Sequence, residues 1–408
     1  MNKIEKLIQQ LCPDGVEYKH LWEVTTWDKR FNAVENYKQP QVIKYKYFLA
    51  SELKPLIVEG GTIKILTTNN SNLYTTEDLA EENYSEGEII AIPWGGNPIV
   101  QYFNGKFLTS DNRIAVSNDT SYLNTKYLYY CLLDSIDIIS TFYRGSGIKH
   151  PNMAKVLDFQ IPIPPLPIQQ EIVTILDKFT QLEAELEAEL EARSRQYEYY
   201  RNQLLSFEGK DIEWKALGEL TSLITKGTTP KKYTKNGIAF IKTEAFDGSI
   251  INTKKLSYID YETHNKELKR SILKHKDILI TIAGATIGKC AIVQEEILPA
   301  NTNQALAIIR LLENINNKYI FYILKSNHMV KYIEMNVKGS AQPNLNLQQL
   351  NDFKIPIPSL EEQERIVNIL DQFDALVNDI KTGLPAEITA RRAQYEYYRK
   401  KLLTFQKT

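Results

Sequence analysis

Two stretches of the chain carry the same seam of apolar residues. In each stretch the apolar positions alternate between spacings of three and four residues, which is the pattern of a helix that packs lengthwise against another helix. The first seam is Ile172, Ile175, Phe179, Leu182 and Leu186. The second seam is Ile366, Ile369, Phe373, Leu376 and Ile380. The pattern predicts two long amphipathic helices, one in the middle of the chain and one near its end.

The sequence around each seam is repeated as well. The motif Phe-x-Ile-Pro-Ile-Pro precedes both seams, at residues 159–164 and 353–358, and Gln-Tyr-Glu-Tyr-Tyr-Arg follows them, at 196–201 and 394–399. The copies are offset by 194 residues at the first motif and by 198 at the second, so the later copy has four extra residues. This period is too long for a solenoid and indicates two half-molecules that each end in the same helix.

The two predicted helices differ in their interiors. The first contains three tandem tetrapeptides of strong helix formers over residues 182–193. If it runs from Gln169 to Phe207 it has 39 residues, and it is about 58 Å long at 1.5 Å per residue. The second is interrupted by Gly383-Leu-Pro385, where we expect a kink because proline cannot continue the hydrogen-bond ladder.

The regions before the two helices share patterns rather than residues. Both contain strand-like segments and an aromatic-rich helical segment, at residues 88–92, 113–117 and 126–133 in the first and 277–282, 304–310 and 318–324 in the second. Each region is therefore predicted to be a mixed α/β domain. The chain divides into a first domain with a short N-terminal helix (1–158), a central helix (159–207), a second domain (208–352) and a C-terminal helix (353–408).

Two domains joined by one rigid helix, with a matching helix at the end, would be held at a fixed distance from each other. The central helix would then act as a ruler that sets this distance. If the helices pack antiparallel, the molecule is pseudo-twofold and presents two recognition surfaces about 50–60 Å apart, or about 15–17 base pairs of DNA. A two-part DNA target with an unread spacer fits such a shape, as half-site spacing does for dimeric repressors.

Composition indicates a globular protein of 408 residues, 43% hydrophobic and 24% charged, which is long enough for two or more domains. No apolar run reaches the roughly 18 residues of a membrane span, and the first residues lack a signal-peptide core. We therefore expect a cytoplasmic protein with no membrane association. Its three widely spaced cysteines argue against a disulfide framework or a zinc site.

The net charge of −1 is unevenly distributed. Residues 159–207 carry four more acidic than basic residues, whereas residues 208–352 carry five more basic than acidic residues. Phosphate would repel the acidic helix, so only the second domain has a charge balance that favours a polyanion.

These residues together resemble the specificity (S) subunits of Type I restriction-modification systems. The resemblance covers nearly the whole chain and rests on Leu11-Cys-Pro-Asp-Gly-Val-Glu17 and on the duplicated Ile-Pro-Ile-Pro, Ile-Val-x-Ile-Leu-Asp and Gln-Tyr-Glu-Tyr-Tyr-Arg motifs. It implies two target-recognition domains separated by two long antiparallel coiled-coil helices. It also implies double-stranded DNA as ligand and assembly with two methyltransferase (M) subunits, to which restriction (R) subunits are added. The S subunit is not catalytic in such systems.

Motifs for other chemistry are weak. Residues 284–289 look like a phosphate loop but have three residues between the glycines instead of four, which favours an ordinary loop between strands. Glu213-Trp-Lys215 could end a nuclease site, but Glu17-Tyr-Lys19 occupies the same place in the other half, which favours a repeated scaffold edge. The histidines have no metal-ligand spacing, and no nucleotide fingerprint or Asn-Pro-Pro-Tyr motif occurs, so no cofactor is expected.

Candidate DNA contacts are basic, amide and hydroxyl side chains in the predicted loops, since such side chains reach phosphates and base edges. In the first domain these are Lys29, Arg30, Lys44, Lys46, Arg113, Arg144, Lys149 and His150. In the second they are Lys226, Thr228, Lys231, Lys232, Lys242, Lys289, Lys338 and Gln342. For each one the alternative is a solvated surface charge. Tyr197, Tyr199 and Tyr200 could stack on bases, but their helical spacing and their repetition favour packing or partner contacts.

One alternative explains the acidic helix equally well: a coiled-coil scaffold with two protein-binding modules and no role in DNA binding. A fused nuclease or methyltransferase is the third alternative, and it lacks the motifs such enzymes carry.

Overall fold

A computed structural model describes residues 3–337, 344–379 and 382–408 of the chain. The chain divides into two compact units. The first unit is Met1–Ala184 with Ala390–Thr408, and the second is Glu185–Thr389. Each unit therefore combines one of the two predicted α/β domains with one part of the central helix and one part of the C-terminal helical segment.

The first unit is built on one six-stranded sheet. Among its described residues the strands are β1 (Glu17–His20), β2 (Thr25–Trp27), β3 (Ile63–Leu66), β4 (Tyr74–Thr75), β5 (Ser85–Pro93), β6 (Gln101–Thr109), β7 (Asn112–Ser117), β8 (Tyr143–Arg144), β9 (His150–Pro151) and β10 (Gln160–Ile163). The helices are α1 (Lys3–Leu11), α2 (Leu21–Val24), α3 (Ala50–Leu53), α4 (Glu77–Ala80), α5 (Thr125–Asp134), α6 (Ile136–Ser140), α7 (Met153–Leu157) and the start of α8 (Leu166–Leu204), with short 3-10 turns at Asn36–Lys38 and Lys54–Leu56.

The sheet has the order β2-β7-β5-β6-β3-β4, and its neighbours are antiparallel except for the parallel pair β3 and β6. Residues Ile89 to Ile92 of β5 are all buried, because both faces of the strand are covered. This explains why they form a continuous apolar run and do not alternate with polar residues. Helix α5 presents Tyr127, Leu128 and Cys131 to the largest core of the unit, which also includes the first turns of α8.

The second unit contains two smaller sheets, with orders β12-β20-β17-β18 and β16-β13-β19. Its described strands are β11 (Glu213–Ala216), β12 (Thr221–Lys226), β13 (Ile238–Ile241), β14 (Phe246–Asp247), β15 (Ile250–Ile251), β16 (Ser257–Ile259), β17 (Ile278–Thr281), β18 (Cys290–Ile292), β19 (Ala300–Thr302), β20 (Leu306–Leu311) and β21 (Lys354–Ile357). Its helices are α9 (Asn317–Leu324), α10 (Asn327–Val337), α11 (Leu347–Asp352), α12 (Leu360–Asn378) and the start of α13 (Leu384–Leu403). Short 3-10 turns lie at Leu217–Leu220, Thr243–Ala245, Thr253–Lys255, Lys269–Ser271 and Glu295–Ile297, and a π turn at Thr263–Glu267.

The mixed α/β prediction is confirmed. The predicted strands at 88–92 and 113–117 lie inside β5 and β7, and those at 277–282 and 304–310 correspond to β17 and β20 within one to two residues. The aromatic-rich helices are α5 and α9, and the central helix is continuous over 39 residues, from Leu166 to Leu204. No helix among the described residues is long and apolar enough to span a membrane.

The same scaffold edge occurs in both units. Strand β1 pairs antiparallel with β10, and β11 pairs with β21 in the identical register, so that Glu17 faces Ile163 and Glu213 faces Ile357. Glu213 forms its ion pair with Lys215 of the same strand, as Glu17 does with Lys19. The duplicated Glu-x-Lys is therefore part of a structural strand, as the repetition predicts.

The helices pair antiparallel within each unit, as predicted. In the first unit Phe179 of α8 stacks on Tyr398 of α13 with ring centroids 5.6 Å apart, and Glu183 of α8 pairs with Arg392 of α13. In the second unit the repeat of Phe179, Phe373, stacks in the same way on Tyr200 at 5.6 Å. Ile380 of the second predicted seam lies outside the described residues.

The C-terminal helical segment is broken rather than kinked at Gly383. Helix α12 ends at Asn378, and α13 begins at Leu384 with Pro385 in its first turn, where a missing amide donor costs nothing. Gly383 packs directly on the end of α12, because a Cβ atom at this position would lie 2.5 Å from the carbonyl oxygen of Ala375 and 2.7 Å from that of Leu376. The prediction of a kink was wrong because it considered only the effect of Pro385 on the hydrogen-bond ladder. It did not consider that Gly383 lets the backbone approach the carbonyl oxygens at the end of α12.

We predict that Gly383→Ala lowers the free energy of unfolding by about 1–3 kcal/mol, since the new methyl group meets backbone that cannot move away like a side chain. Denaturation by urea, followed by circular dichroism, measures the change. Gly147→Ala is the control, because Gly147 has nothing within 4 Å of its Cβ position. Equal stability of the two variants would show that the helix break does not depend on glycine.

Candidate nucleic-acid interface

Several candidate cations of the first unit gather around one cavity. Lys29, Arg30, Arg144 and His150 line a cavity of about 480 Å³, whose wall also includes Trp94. Two amide side chains, Asn32 and Asn152, and the thioether of Met153 complete the polar and apolar parts of the lining. The arrangement places donors for phosphate or base oxygens beside an aromatic ring.

The backbone explains why residues that are far apart in sequence meet here. After β5 the chain turns at Trp94-Gly95-Gly96, with Gly96 at a φ of +106°, a conformation that favours glycine. A Cβ atom on Gly95 would lie 3.0 Å from the Ile148 side chain and 3.2 Å from the His150 ring. The small turn therefore lets the β8–β9 hairpin, which carries Arg144 and His150, approach the end of β5.

Two cations and an imidazole ring lie close to Trp94. The Lys29 Nζ lies 5.1 Å from the centre of its ring, the Arg113 guanidinium 4.5 Å, and the His150 ring centroid 5.5 Å. Distances of this kind allow attraction between a cation and the negative face of the indole. The His150 Nδ1 is also 2.6 Å from the backbone oxygen of Trp94, which fixes the two residues to each other.

Arg113 lies beneath this surface and not on it. Its side chain is 7% exposed, and its Nη1 is 3.2 Å from the Oδ2 of Asp28, whose side chain is 1% exposed. Tyr47 also donates a hydrogen bond to the Asp28 Oδ2, at 3.0 Å. Burial raises the pKa of the Asp28 carboxyl, and the nearby Arg113 guanidinium opposes that rise.

The other candidates of the first unit are spread out. Lys149 approaches the turn through its backbone, because Gly96 donates its amide to the Lys149 oxygen at 3.0 Å. Lys44 is exposed and does not line the cavity. Lys46 lies over the ring of Phe48 at 5.2 Å and donates to the Asn83 side chain. Lys44 and Lys46 thus form no part of the cavity around Trp94.

The second unit has a basic surface of different construction. Lys226, Lys231 and Lys232 are exposed on and after the end of β12. The chain is held there by Gly227 and Thr228, whose amides donate to Leu306 and Thr302. A Cβ atom on Gly227 would lie 2.2 Å from the Thr302 oxygen, so only glycine fits at this turn.

An exposed aromatic residue accompanies this second basic surface. The Lys242 Nζ lies 4.1 Å from the ring centre of Tyr233, which is 44% exposed. Lys231 is in reach of Glu267 at 3.4 Å, but the lysine side chain is 84% exposed, so solvent screens that pair. Tyr233 therefore has a lysine against its ring, as Trp94 has Lys29.

Lys289 has different surroundings from these lysines. It lines a largely apolar cavity together with Phe246, Ile287, Met329 and Ile333. The loop that carries it joins β17 to β18, as predicted from its departure from the phosphate-loop spacing. Lys338 and Gln342 lie outside the described residues. Among the described residues no group of His, Cys, Asp or Glu side chains could hold a metal ion.

Sequence reasoning missed Trp94, Tyr233 and Asp28. A signal for Trp94 was present, since an aromatic residue followed by two glycines directly after a buried strand marks a turn where a large ring is held at the surface. Asp28 had no comparable signal, because its burial depends on strands that are far apart in the sequence.

The repeated tyrosines divide into two kinds. Tyr197 is 4% exposed and stacks on Phe373, and Tyr395 lies 6.3 Å from Phe179 at the equivalent place, so the packing interpretation is confirmed for these two. Tyr199 and Tyr397 are 57% and 61% exposed. They remain available for contacts with other molecules.

Comparison with known proteins gives concordant results. The family model for the Type I restriction modification DNA specificity domain matches residues 34–192 and 209–390. The specificity subunit of the Type I restriction enzyme EcoR124I/EcoR124II of Escherichia coli is 32% identical to this chain, and the similarity covers 100% of this chain and 98% of the relative.

Solved structures with the same fold include the S subunit of a Type I restriction-modification system from M. genitalium. It has a TM-score of 0.57 and 17% identity, and the match covers 96% of this chain and 97% of that one. A chain from a structural study of complex assembly in the type I R-M system has a TM-score of 0.59 and 15% identity, and the match covers 96% and 98% of the two chains.

We predict that the double variant Lys29→Gln and Arg144→Gln weakens binding to duplex DNA and lowers its salt dependence. Each lost phosphate contact reduces the slope of log affinity against log salt concentration by about 0.9, so the slope should change by about 2 if both side chains contact phosphates. Fluorescence anisotropy of a labelled duplex between about 50 and 200 mM salt measures this slope. Lys54→Gln, an exposed lysine of the same unit outside the cavity, should leave it unchanged.

Proposed function

Because the chain belongs to the family of Type I restriction-modification specificity subunits, we propose that it is the DNA-binding subunit of such a complex. It reads a two-part target with an unread spacer, and it directs methyltransferase and restriction subunits to that target. It has no catalytic role and no cofactor of its own, and it acts in the cytoplasm.

The observation that carries the proposal is the repetition of one scaffold under two different surfaces. In both units a buried tyrosine of the aromatic-rich helix donates to an aspartate of the conserved helix at 2.6 Å: Tyr130 to Asp177 and Tyr322 to Asp371. The surfaces held by this shared scaffold differ, with Trp94 and its cavity in one unit and Tyr233 with its lysines in the other. A common frame with two unlike surfaces suits a target whose halves differ in sequence.

The two surfaces would act in two ways. Exposed lysines and arginines contact phosphates and set the register of the protein on the duplex, without reading the sequence. Amides, arginines and aromatic residues at the cavity reach base edges and provide discrimination between sequences. The near-neutral net charge does not contradict this, since the acidic residues of the conserved helix lie on a part of the chain that need not contact phosphate.

The exposed tyrosines of the conserved helices are the proposed contacts for two M subunits. Tyr199 and Tyr200 meet edge to face at 5.4 Å, and Tyr397 and Tyr398 do so at 5.3 Å, so both units present the same aromatic pair. Tyrosine is enriched among residues that dominate binding energy at protein interfaces. Two equivalent surfaces would bind two copies of the same partner.

We predict that Tyr199→Ala and Tyr397→Ala each remove one M subunit from the complex, and that the double variant removes both. The expected numbers of bound M subunits are two for the unchanged chain, one for each single variant and none for the double variant. Light scattering of purified complexes measures the mass.

The control for this prediction is Tyr261→Ala, because Tyr261 is 73% exposed but lies outside the conserved helices. It should keep two M subunits. A double variant that still binds two would show that the partner uses another surface, and one M subunit on the unchanged chain would overturn the twofold proposal.

We predict that deletion of Leu186-Glu-Ala-Glu189 keeps both half-sites and shortens the spacer by one base pair. Four residues shorten a helix by about 6 Å and rotate its far end by about 40°. That rotation is close to the 34–36° or so between adjacent base pairs, and facing the correct groove matters more than a few ångströms of length. Mapping of methylated sites in cells that carry the deletion and the methyltransferase measures the spacer.

Ala188→Ser is the control for the deletion, because it changes an exposed residue of the same tetrapeptide and keeps the helix length. It should leave the spacer unchanged. The same unchanged spacer in an active deletion variant would show that residues 182–193 are not the ruler. The alternative of a scaffold with no DNA role predicts no methylated target at all.

A further inference from the structure

Asp28 and Arg113 form an ion pair inside the first unit. Their side chains are 1% and 7% exposed, and the Arg113 Nη1 lies 3.2 Å from the Asp28 Oδ2. Removing two charges from water costs free energy that their attraction often fails to recover, so a buried pair is weak evidence for stabilisation. Such pairs often have another use, which is to fix the position of nearby groups.

The bonding of this pair supports that view. The Asp28 carboxylate accepts from the Ile114 amide at 3.1 Å and from the Tyr47 hydroxyl at 3.0 Å. Arg113 also donates from Nη1 to the backbone oxygen of Asn112 at 2.8 Å, but its buried Nε finds no acceptor among the described residues. Burial raises the pKa of the Asp28 carboxyl even with a guanidinium beside it, so desolvation outweighs the attraction of Arg113 in setting that pKa.

The pair joins the parts that line the cavity. Asp28 directly follows β2, and the next two residues are Lys29 and Arg30, so its bonds to β7 and to Tyr47 fix the start of the segment that carries those cations. Arg113, the other member of the ion pair, contacts Trp94, with its guanidinium 4.5 Å from the ring centre. One ion pair thus sets the place of both the ring and the cations next to it.

We propose that Asp28 and Arg113 are positioning residues for recognition of the first half-site. They hold Trp94 and the Lys29–Arg30 segment in the geometry that discriminates between sequences, and they add little to the stability of the unit. The inference rests on the proposed function, because it assumes that this cavity reads DNA.

The second unit offers a matched control. Its Asp277 is also 1% exposed and binds Arg310 with two hydrogen bonds, of 2.8 and 2.7 Å. This pair lies toward the other end of the sheet from the basic surface, because Arg310 pairs with Leu223 of β12, whereas Lys226 pairs with Ala307. The Asp277–Arg310 pair therefore has an equally buried carboxylate but a more exposed arginine, at 22%, and it lies away from the candidate cations of β12 among the described residues.

The test replaces each pair by apolar residues of similar size. Asp28→Leu or Arg113→Met alone should lower the thermal midpoint, since each leaves a buried charge without its partner. The combined variant Asp28→Leu with Arg113→Met should recover much of that loss, because no charge stays buried, while the Ile114 amide and the Tyr47 hydroxyl still lose their acceptor. The combined variant Asp277→Leu with Arg310→Met should behave likewise.

The binding measurement uses the complex with its methyltransferase and three duplexes: the target mapped by methylation, the target with a changed first half-site, and the target with a changed second half-site. Replacement of the Asp28–Arg113 pair should reduce discrimination at the first half-site by about tenfold or more, which is the scale of a lost base contact. Discrimination at the second half-site should persist. Replacement of the Asp277–Arg310 pair should leave both unchanged.

Two results would overturn the inference alone. One is full discrimination by the stable apolar pair at positions 28 and 113, and the other is an equal loss on replacement of the control pair. An unchanged complex that does not discriminate among the three duplexes would instead overturn the proposed function, and the inference with it.

A conservative variant keeps the test decisive if the apolar pair fails to fold. Arg113→Lys retains the positive charge beside Asp28 but lacks the planar guanidinium that lies against Trp94. We expect a folded chain with reduced discrimination at the first half-site only. Unchanged discrimination in this variant would overturn the inference.

Discussion

One carboxylate on each repeated helix, Asp177 on α8 and Asp371 on α12, holds a recognition domain in place. Asp177 accepts hydrogen bonds from Tyr130 at 2.6 Å and from Lys126 at 2.7 Å, and Asp371 accepts from Tyr322 and Lys318 at the repeated positions. Burial, and next the bond to Asp177, raise the pKa of the Tyr130 hydroxyl above its ordinary range, so this group stays protonated and remains a donor. A second tyrosine of each helix donates to the Ile-Pro-Ile-Pro strand, through Tyr127 to Pro162 at 3.1 Å and Tyr319 to Pro356 at 2.9 Å. Helix, strand and domain are thus joined by directional bonds as well as by the apolar core.

This junction allows the rest of each domain to vary. In both units the aromatic-rich helix supplies bonds to the helix and to the Ile-Pro-Ile-Pro strand, and in the second unit Ser249 also donates to Asp374 at 3.1 Å. The first unit could therefore develop a cavity around Trp94, and the second an exposed tyrosine among lysines, without a change in how either is held. Loops on a rigid frame are the usual place for binding residues, because their sequence can change at little cost to the core.

Charge acts locally in this protein. A net charge of −1 would not steer the chain toward DNA, and the central helix is acidic. Tertiary structure gathers the candidate cations Lys29, Arg30 and Arg144 around one cavity, and it withdraws Arg113 from solvent beside Asp28. The two units also differ in some of the ion pairs between the domain and its helices. Arg399 binds Asp134 in the first unit, whereas the second has Lys325 close to Asp374, and burial lowers the pKa of Lys325. The repeat therefore keeps the lysine pairs of Asp177 and Asp371 and the stacking of a tyrosine on Phe179 or Phe373, but it differs in the pairs made by Arg399 and Lys325.

The sequence by itself determined the duplicated frame, the strands at the centre of each domain and the packing role of Tyr197 and Tyr395. These follow from local periodicity and repetition, which need no knowledge of distant contacts. Tertiary structure alone decided which cations share a site. Lys29 and Arg144 are separated by more than a hundred residues and meet only because Gly95 lets the β8–β9 hairpin approach the end of β5. It also decided that Arg113 is buried and that Lys289 lines a different cavity from that of Lys29 and Arg144. It turned the expected kink at Gly383 into a break, because the absence of a side chain there matters only where another backbone comes within contact distance.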